Sequence, residues 1–199
     1  MKRIEDRKEK IKKIWMSVIL AGIMVFSGFA IMVGNSQQSL KYNNFKFVQG
    51  NDQRIYTEVS EGKMVGFRYF PSDLQNISVP SEAVKLLNDS QVITVTFNSS
   101  YDKEWVLGYF ETIEFELAQD LNDKIFVKGV TEQSEAYAAF PIMDCSSATA
   151  QQPVVYFEIV KNQTNITVEN NCIIFKSDEY GFYALKDRLL FSYFGVMDG

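Results

Sequence analysis

Apolar and polar positions divide the chain into one long uncharged run and a series of short periodic segments. The run is Ile14–Val33, twenty residues (IWMSVILAGIMVFSGFAIMV) without a charge. At ~1.5 Å of rise per residue, ~20 residues of helix cover ~30 Å, the thickness of a bilayer's hydrocarbon core, so the run predicts a membrane-crossing helix. Further on, Phe45 and Phe47 alternate with Lys46 at the two-residue period of a strand, and Asn44–Val48, Arg54–Val59 and Lys63–Phe70 read as three strands. The turn signals Gly50-Asn51-Asp52 and Glu61-Gly62 separate them, which predicts an antiparallel meander.

Pro80 and Ser81 suit the entrance of a short helix running to about Asn88. Val92–Phe97 (VITVTF) is β-branched and predicts a buried strand. The strongest helical period follows over Asp102–Asn122. Val106, Phe110, Ile113, Leu117 and Leu121 form its apolar stripe, with Lys103, Glu104, Glu111, Glu114 and Asp120 largely outside it. Ile125–Val130 completes a strand–helix–strand unit, which calls for a parallel pair with a right-handed crossover. Glu132–Gln152 has no period. Val154–Val160 and Ile166–Phe175 predict a hairpin across Lys161–Asn165, and a last helix over Glu179–Phe194 places Phe182, Leu185, Leu189 and Tyr193 on one face. The expected order, β-β-β-α-β-α-β-β-β-α, belongs to an α/β or α+β domain: one mixed sheet with helices packed on it.

Charge sets the expected orientation. Lys2, Arg3, Arg7, Lys8, Lys10, Lys12 and Lys13 precede the run, and no basic residue occurs between Ile14 and Leu40. The positive-inside rule keeps such a tail in the cytoplasm and exports the chain beyond Val33. The domains expected are a basic cytoplasmic tail (1–13), a membrane helix (14–33), a linker (34–40) and an extracytoplasmic domain (41–199). A cleaved signal peptide is the alternative. Its apolar core is usually ~7–15 residues long and followed by a small-x-small site. Gly28-Phe29-Ala30 would have to serve from inside the apolar run, so an uncleaved anchor is the better fit. Seven of the 20 basic and three of the 25 acidic residues lie before Ile14, leaving 13 and 22 after it, a net charge near −9. Such a surface repels phosphate backbones, so the expected partners are the bilayer through residues 14–33 and another membrane or envelope protein, not nucleic acid.

Candidate chemistry is sparse. The chain has no histidine, so Ser-His-Asp and Cys-His nucleophiles and histidine-ligated metals are excluded. Its scattered glycines form no phosphate loop. The two cysteines, Cys145 and Cys172, both fall on the exported side, where a disulfide tying Glu132–Gln152 to the following strands is expected. Two thiols are half a zinc site, so no metal centre is expected, and independent reactive thiols are the remaining alternative. Five N-x-Ser/Thr sequons, at Asn76, Asn88, Asn98, Asn162 and Asn165, lie beyond the run and are candidate glycosylation sites. Asp102/Glu104, Glu111/Glu114 and Asp178/Glu179 are the paired acids that a carboxylate-based hydrolase would need. Their places on an exposed helix face and at helix starts fit solvated positions instead. Asp187-Arg188 reads as an outward-facing pair or an interface feature in preference to a site, and Tyr42, Phe45, Phe47, Phe67, Tyr69 and Phe70 read as core in preference to a ligand groove.

The rhythm of the second half, strand, helix, strand, Pro153, hairpin and final helix, resembles a thioredoxin-like fold. The chain has no Cys-x-x-Cys, so that resemblance implies a peptide-binding or chaperone-like domain and no dithiol chemistry. The anchor, Tyr42-Asn43-Asn44-Phe45-Lys46-Phe47, Phe67-Arg68-Tyr69-Phe70-Pro71-Ser72, Asn171-Cys172-Ile173-Ile174 and Asp187-Arg188-Leu189-Leu190 with Gly195-Val196-Met197 resemble a group of short membrane-anchored archaeal proteins. That resemblance implies an archaeal source and the same topology, and no activity. The expected function is an anchored extracytoplasmic interaction module or accessory subunit of a membrane assembly, with no catalytic or cofactor-binding residues.

Overall fold

The computed structural model describes residues 15–24, 39–101 and 103–198. The chain separates into two units, Met1–Gln38 and Ser39–Gly199. In the first, residues 15–24 are helical. The remainder of the expected span and the tail lie outside the described residues, among which no helix is long and apolar enough to cross a membrane.

The second unit is a mixed α/β domain with two sheets. Strands β1 (Ser39–Tyr42), β2 (Phe45–Gln49), β3 (Ile55–Ser60) and β4 (Lys63–Phe67) form an antiparallel meander in sequence order. Strand β1 adds to the expected meander and occupies residues 39 and 40 of the expected linker. Its turn is the dipeptide Asn43-Asn44, where Asn43 takes φ +50°. Asparagine tolerates that left-handed backbone because its short polar side chain bonds locally. Helix α1 (Ser81–Asp89), strand β5 (Val92–Phe97), helix α2 (Glu104–Asp120) and strand β6 (Ile125–Val130) follow. Strands β5 and β6 are parallel, as the strand–helix–strand pattern requires.

The last strands differ from expectation. Val154–Ile159 is β7, but Ile166–Phe175 is broken into β8 (Asn165–Glu169) and β9 (Cys172–Ser177). Asn170 and Asn171 take φ +49° and +66° and close a two-residue hairpin between them. Two consecutive positive φ values match the right-handed strand twist, which is why asparagine and glycine occupy such turns. Strand β7 therefore makes no hairpin with β8 and instead runs parallel to both β5 and β9. The sheet order is β6-β5-β7-β9-β8. The proline-then-hairpin element behind the thioredoxin-like resemblance is not formed.

Alternation along the strands explains the layers. Ile93, Val95 and Phe97 of β5, Val155 and Phe157 of β7 and Ile173 and Phe175 of β9 join the main core under the helices. Thr94, Thr96, Val154, Cys172 and Ile174 point to the opposite face, which Glu132–Gln152 covers. The Thr96 hydroxyl donates to the Met143 carbonyl at 2.6 Å, and the Gln152 amide donates to Thr94 at 2.9 Å. A Cβ at Gly129 would stand 2.8 Å from Met143 Cβ, so this close approach requires glycine there. Cys145 and Cys172 are disulfide-bonded and fasten the cover to β9.

Helix α3 (Phe182–Tyr193) packs between the two sheets. Phe182 meets Phe157 of β7, while Phe191 stacks on Phe67 of β4 at 4.2 Å and meets Phe47 of β2. Nine of its twelve residues are buried, including Lys186, Asp187 and Arg188. The outward-facing reading of Asp187-Arg188 is thus overturned: a helix with a sheet on either side has no solvent face there. Asp120 is corrected in the same way, because the end of α2 lies against α3 and is buried. Of the aromatics expected as core, Phe47 and Phe67 are buried, while Tyr42, Phe45, Tyr69 and Phe70 are half-buried against them, with Phe70 edge-on to Tyr42 and Phe47.

Candidate functional site

The charged residues of α2 and α3 meet in a sealed cluster. Lys186 Nζ lies 3.0 Å from Glu116 Oε2, 3.0 Å from Asp187 Oδ1 and 3.5 Å from Asp120 Oδ2. Arg68, just beyond β4, donates to Glu116 Oε1 at 2.7 Å and lies 3.8 Å above the Tyr183 ring. Asp187 Oδ2 accepts from the Arg68 and Tyr69 backbone N–H groups. Arg188 donates to the carbonyls of Ile77 and Asp198. Burial raises the Asp120 carboxyl to about 6, with Lys186 offsetting part of the shift. Burial also raises Asp187. Burial alone would raise Glu116 as well, but Lys186 and Arg68 outweigh it and hold that carboxyl low. For Lys186, burial opposes the charge and the three carboxylates prevail. The Lys186, Glu116, Asp120 and Asp187 side chains have almost no solvent access, so a substrate has no path to them. The cluster acts as a polar clamp between the meander and the helices.

The paired acids behave differently from one another. Glu111 and Glu114 are half-buried and share one ammonium, Lys128 Nζ, at 3.2 and 3.3 Å, so the two acids outnumber their cation, and burial raises the Glu114 carboxyl. Glu179 accepts from the Tyr101 hydroxyl at 2.6 Å and pairs with Lys103, and Asp178 caps the Tyr180 backbone N–H. Glu104 is exposed in the first turn of α2, and Asp102 lies outside the described residues. Among the described residues no group of three His, Cys, Asp or Glu side chains could hold a metal ion.

A crevice of about 230 Å³ opens at the carboxyl ends of β5 and β7, between Asn98 and Tyr101 on one side and Tyr156–Ile159 on the other. The chain leaves β5 for β6 on one flank and returns to β7 on the other, so the strand order reverses here, the usual ligand position of open α/β sheets. Its single lining acid, Glu158, pairs with Lys176 at 3.6 Å.

The surface feature that sequence reading missed is the outer side of α2. Trp105, Gly108, Thr112, Phe115 and Gln119 are all exposed and follow helical spacing. Trp105 stacks on the exposed Tyr180, which continues the patch beyond the helix, and Tyr109 donates to the Tyr180 carbonyl at 2.9 Å. The stripe lies opposite Val106, Phe110, Ile113 and Leu117, the apolar set that marks the core side. A second apolar stripe was there to be read in Trp105 and Phe115, ten positions apart. The charged residues between them drew attention instead.

Of the candidate glycosylation sites, Asn76, Asn88, Asn162 and Asn165 are exposed. Asn98 is half-buried, and its side-chain oxygen accepts from the Ser100 backbone N–H. No family model, curated protein or solved structure matches this chain.

Proposed function

We propose that this chain is a membrane-anchored extracytoplasmic interaction module, held by residues 14–33 and working by binding a protein partner instead of by catalysis. The observation that carries this reading is the outer stripe of α2. A helix that contributes seven buried residues to the core also turns Trp105 and Phe115 to solvent, with Tyr180 stacked alongside. Exposed aromatic surface that clusters, as Trp105 does with Tyr180, costs solubility and marks contact sites. The disulfide supports an oxidising compartment, which agrees with export of everything after Val33. Against a carboxylate hydrolase stand the sealed Lys186 cluster and the ion pairs that tie both Glu111 and Glu114 to Lys128.

A photo-crosslinking residue in place of Thr112, in the full chain in its native membrane, tests the reading. The expected result is a light-dependent protein adduct from position 112 and none from the exposed loop position Lys161. Absence of an adduct at 112, or equal yields at both positions, removes α2 as the interaction face.

A further inference from the structure

The first four positions of the α2 stripe read nearly the same from either end. Trp105, Gly108, Thr112 and Phe115 follow at intervals of three, four and three residues, so two aromatic side chains flank two small residues about a midpoint at position 110. With ~1.5 Å of rise per residue, Trp105 and Phe115 stand ~7.5 Å to either side of that midpoint along the helix. A two-fold axis there, perpendicular to the helix, sets Trp105 of one copy against Phe115 of another and Gly108 against Thr112. A two-fold interface needs a patch complementary to itself in this sense. Resting on the interaction-face reading above, we infer that the occupant of this face is a second copy of the chain, with the two α2 helices packed antiparallel.

Space and charge point the same way. A Cβ placed on Gly108 meets nothing within 4 Å, so a partner's backbone can approach closely at the middle of the stripe. The Thr112 hydroxyl already donates to the Gly108 carbonyl at 2.9 Å and requires no partner. The chain beyond the apolar run carries a net charge near −9, so two copies repel each other on balance. The five stripe positions, Trp105 to Gln119, carry no charge. Trp105, Phe115 and Tyr180 are 49%, 61% and 69% exposed. At about 200 Å² for each side chain, that leaves roughly 350 Å² of aromatic surface per copy. That sum is less than half the ~800 Å² per partner of a stable complex. Association is therefore weak in dilute solution and grows where copies are confined together, as in a membrane. Three of the exposed sequons lie on other elements. Asn88 ends α1, which packs on α3 and β8, and Asn162 and Asn165 lie beside the start of β8, whereas β8 and β6 are opposite edges of the sheet.

Sedimentation equilibrium of the full chain in detergent, from about 5 to 500 μM, tests the inference. The expected result is a monomer–dimer equilibrium that Gly108→Arg weakens at least tenfold. Position 108 is an exposed helical site at which arginine has the better helix propensity, so the variant keeps its fold and its melting temperature does not fall. Trp105→Ala shifts the equilibrium the same way, and Asn165→Arg leaves it unchanged. A monomer at every concentration overturns the inference, as does a dimer that Gly108→Arg does not weaken, which would locate contact elsewhere, such as residues 14–33. If the chain is monomeric while the adduct at position 112 joins it to a different protein, the interaction face stands and self-association alone falls. Absence of both removes both readings.

Discussion

The Asp187 carboxylate, fully buried in α3, accepts the Arg68 backbone N–H at 2.7 Å and so ties the end of the meander to a helix 119 residues away in sequence. The same oxygen accepts from Tyr69 at 3.0 Å, and the other lies 3.0 Å from Lys186 Nζ. Replacing Asp187 with Ala leaves two backbone donors and a buried ammonium short of partners. Removing one member of a buried ionic network costs about 3–5 kcal/mol. Asp187→Asn keeps an acceptor for the two N–H groups and is expected to cost less. Urea unfolding monitored by tryptophan fluorescence decides this. An Asp187→Ala midpoint within ~1 kcal/mol of the parent would show that the carboxylate does not hold the sheets together.

Asp120 gives the domain a pH dependence opposite to that of an ordinary salt-bridged acid. Its carboxyl is raised from 3.8 to about 6 in the folded chain, mainly by burial. The folded state therefore binds a proton that the unfolded state has released, and stability contributed by this group falls as pH rises from about 4 to about 6, then levels off. A shift of this size corresponds to roughly 2–3 kcal/mol. Glu116, held low by Lys186 and Arg68 against its burial, works in the other direction and withdraws stability below about pH 4.5. Urea midpoints measured from pH 4.5 to 7.5 are expected to decline with rising pH in the parent and to decline less in Asp120→Asn. Equal slopes in the two proteins would dismiss Asp120 as the source.

The disulfide closes a loop of sequence separation 27 and fastens Glu132–Gln152 over the sheet. A loop of that length is worth about 3–4 kcal/mol in the chain-entropy treatment, and losing such a bond typically costs ~2–5 kcal/mol. Cys145→Ser is expected to expose residues 132–152 to limited proteolysis before the helices are cut. Intact mass after alkylation without reductant checks the bond itself. Two alkylated cysteines in protein from its native compartment would refute it.

The topology proposed for the anchor predicts that protease added to sealed cells removes the domain after Val33 and spares residues 1–13. Protection of the C-terminal domain in sealed cells would reverse the orientation or abolish the anchor.

Much of the architecture was legible in the sequence where one face of an element is buried and the other is wet. The period of Val106, Phe110, Ile113 and Leu117 placed α2, and Val92–Phe97 with Ile125–Val130 announced the parallel pair around it. Cys145 and Cys172, without a third thiol to compete, announced their bond. Pairing among the last three strands was not legible. Ile166–Phe175 looks like one strand because its apolar residues continue across Asn170-Asn171, and only the left-handed backbone of those two asparagines reveals the hairpin. Strand β7 then pairs with β5 and β9 through backbone groups that every residue carries, so no side-chain pattern announces the register.

The sequence by itself determined the elements with one wet face, the disulfide, the acidic balance and the absence of histidine chemistry. Only the tertiary structure decided that Lys186, Asp187, Arg188, Glu116 and Asp120 lie inside. A local period reports burial against one neighbour, whereas α3 has a sheet on either side and its charged groups are met by partners as distant in sequence as the Arg68 backbone N–H and the Glu116 carboxylate. Folding likewise decided that the second apolar stripe of α2, Trp105 to Phe115, is left in solvent. The helix has one core to fill, and Phe110 and its neighbours already fill it.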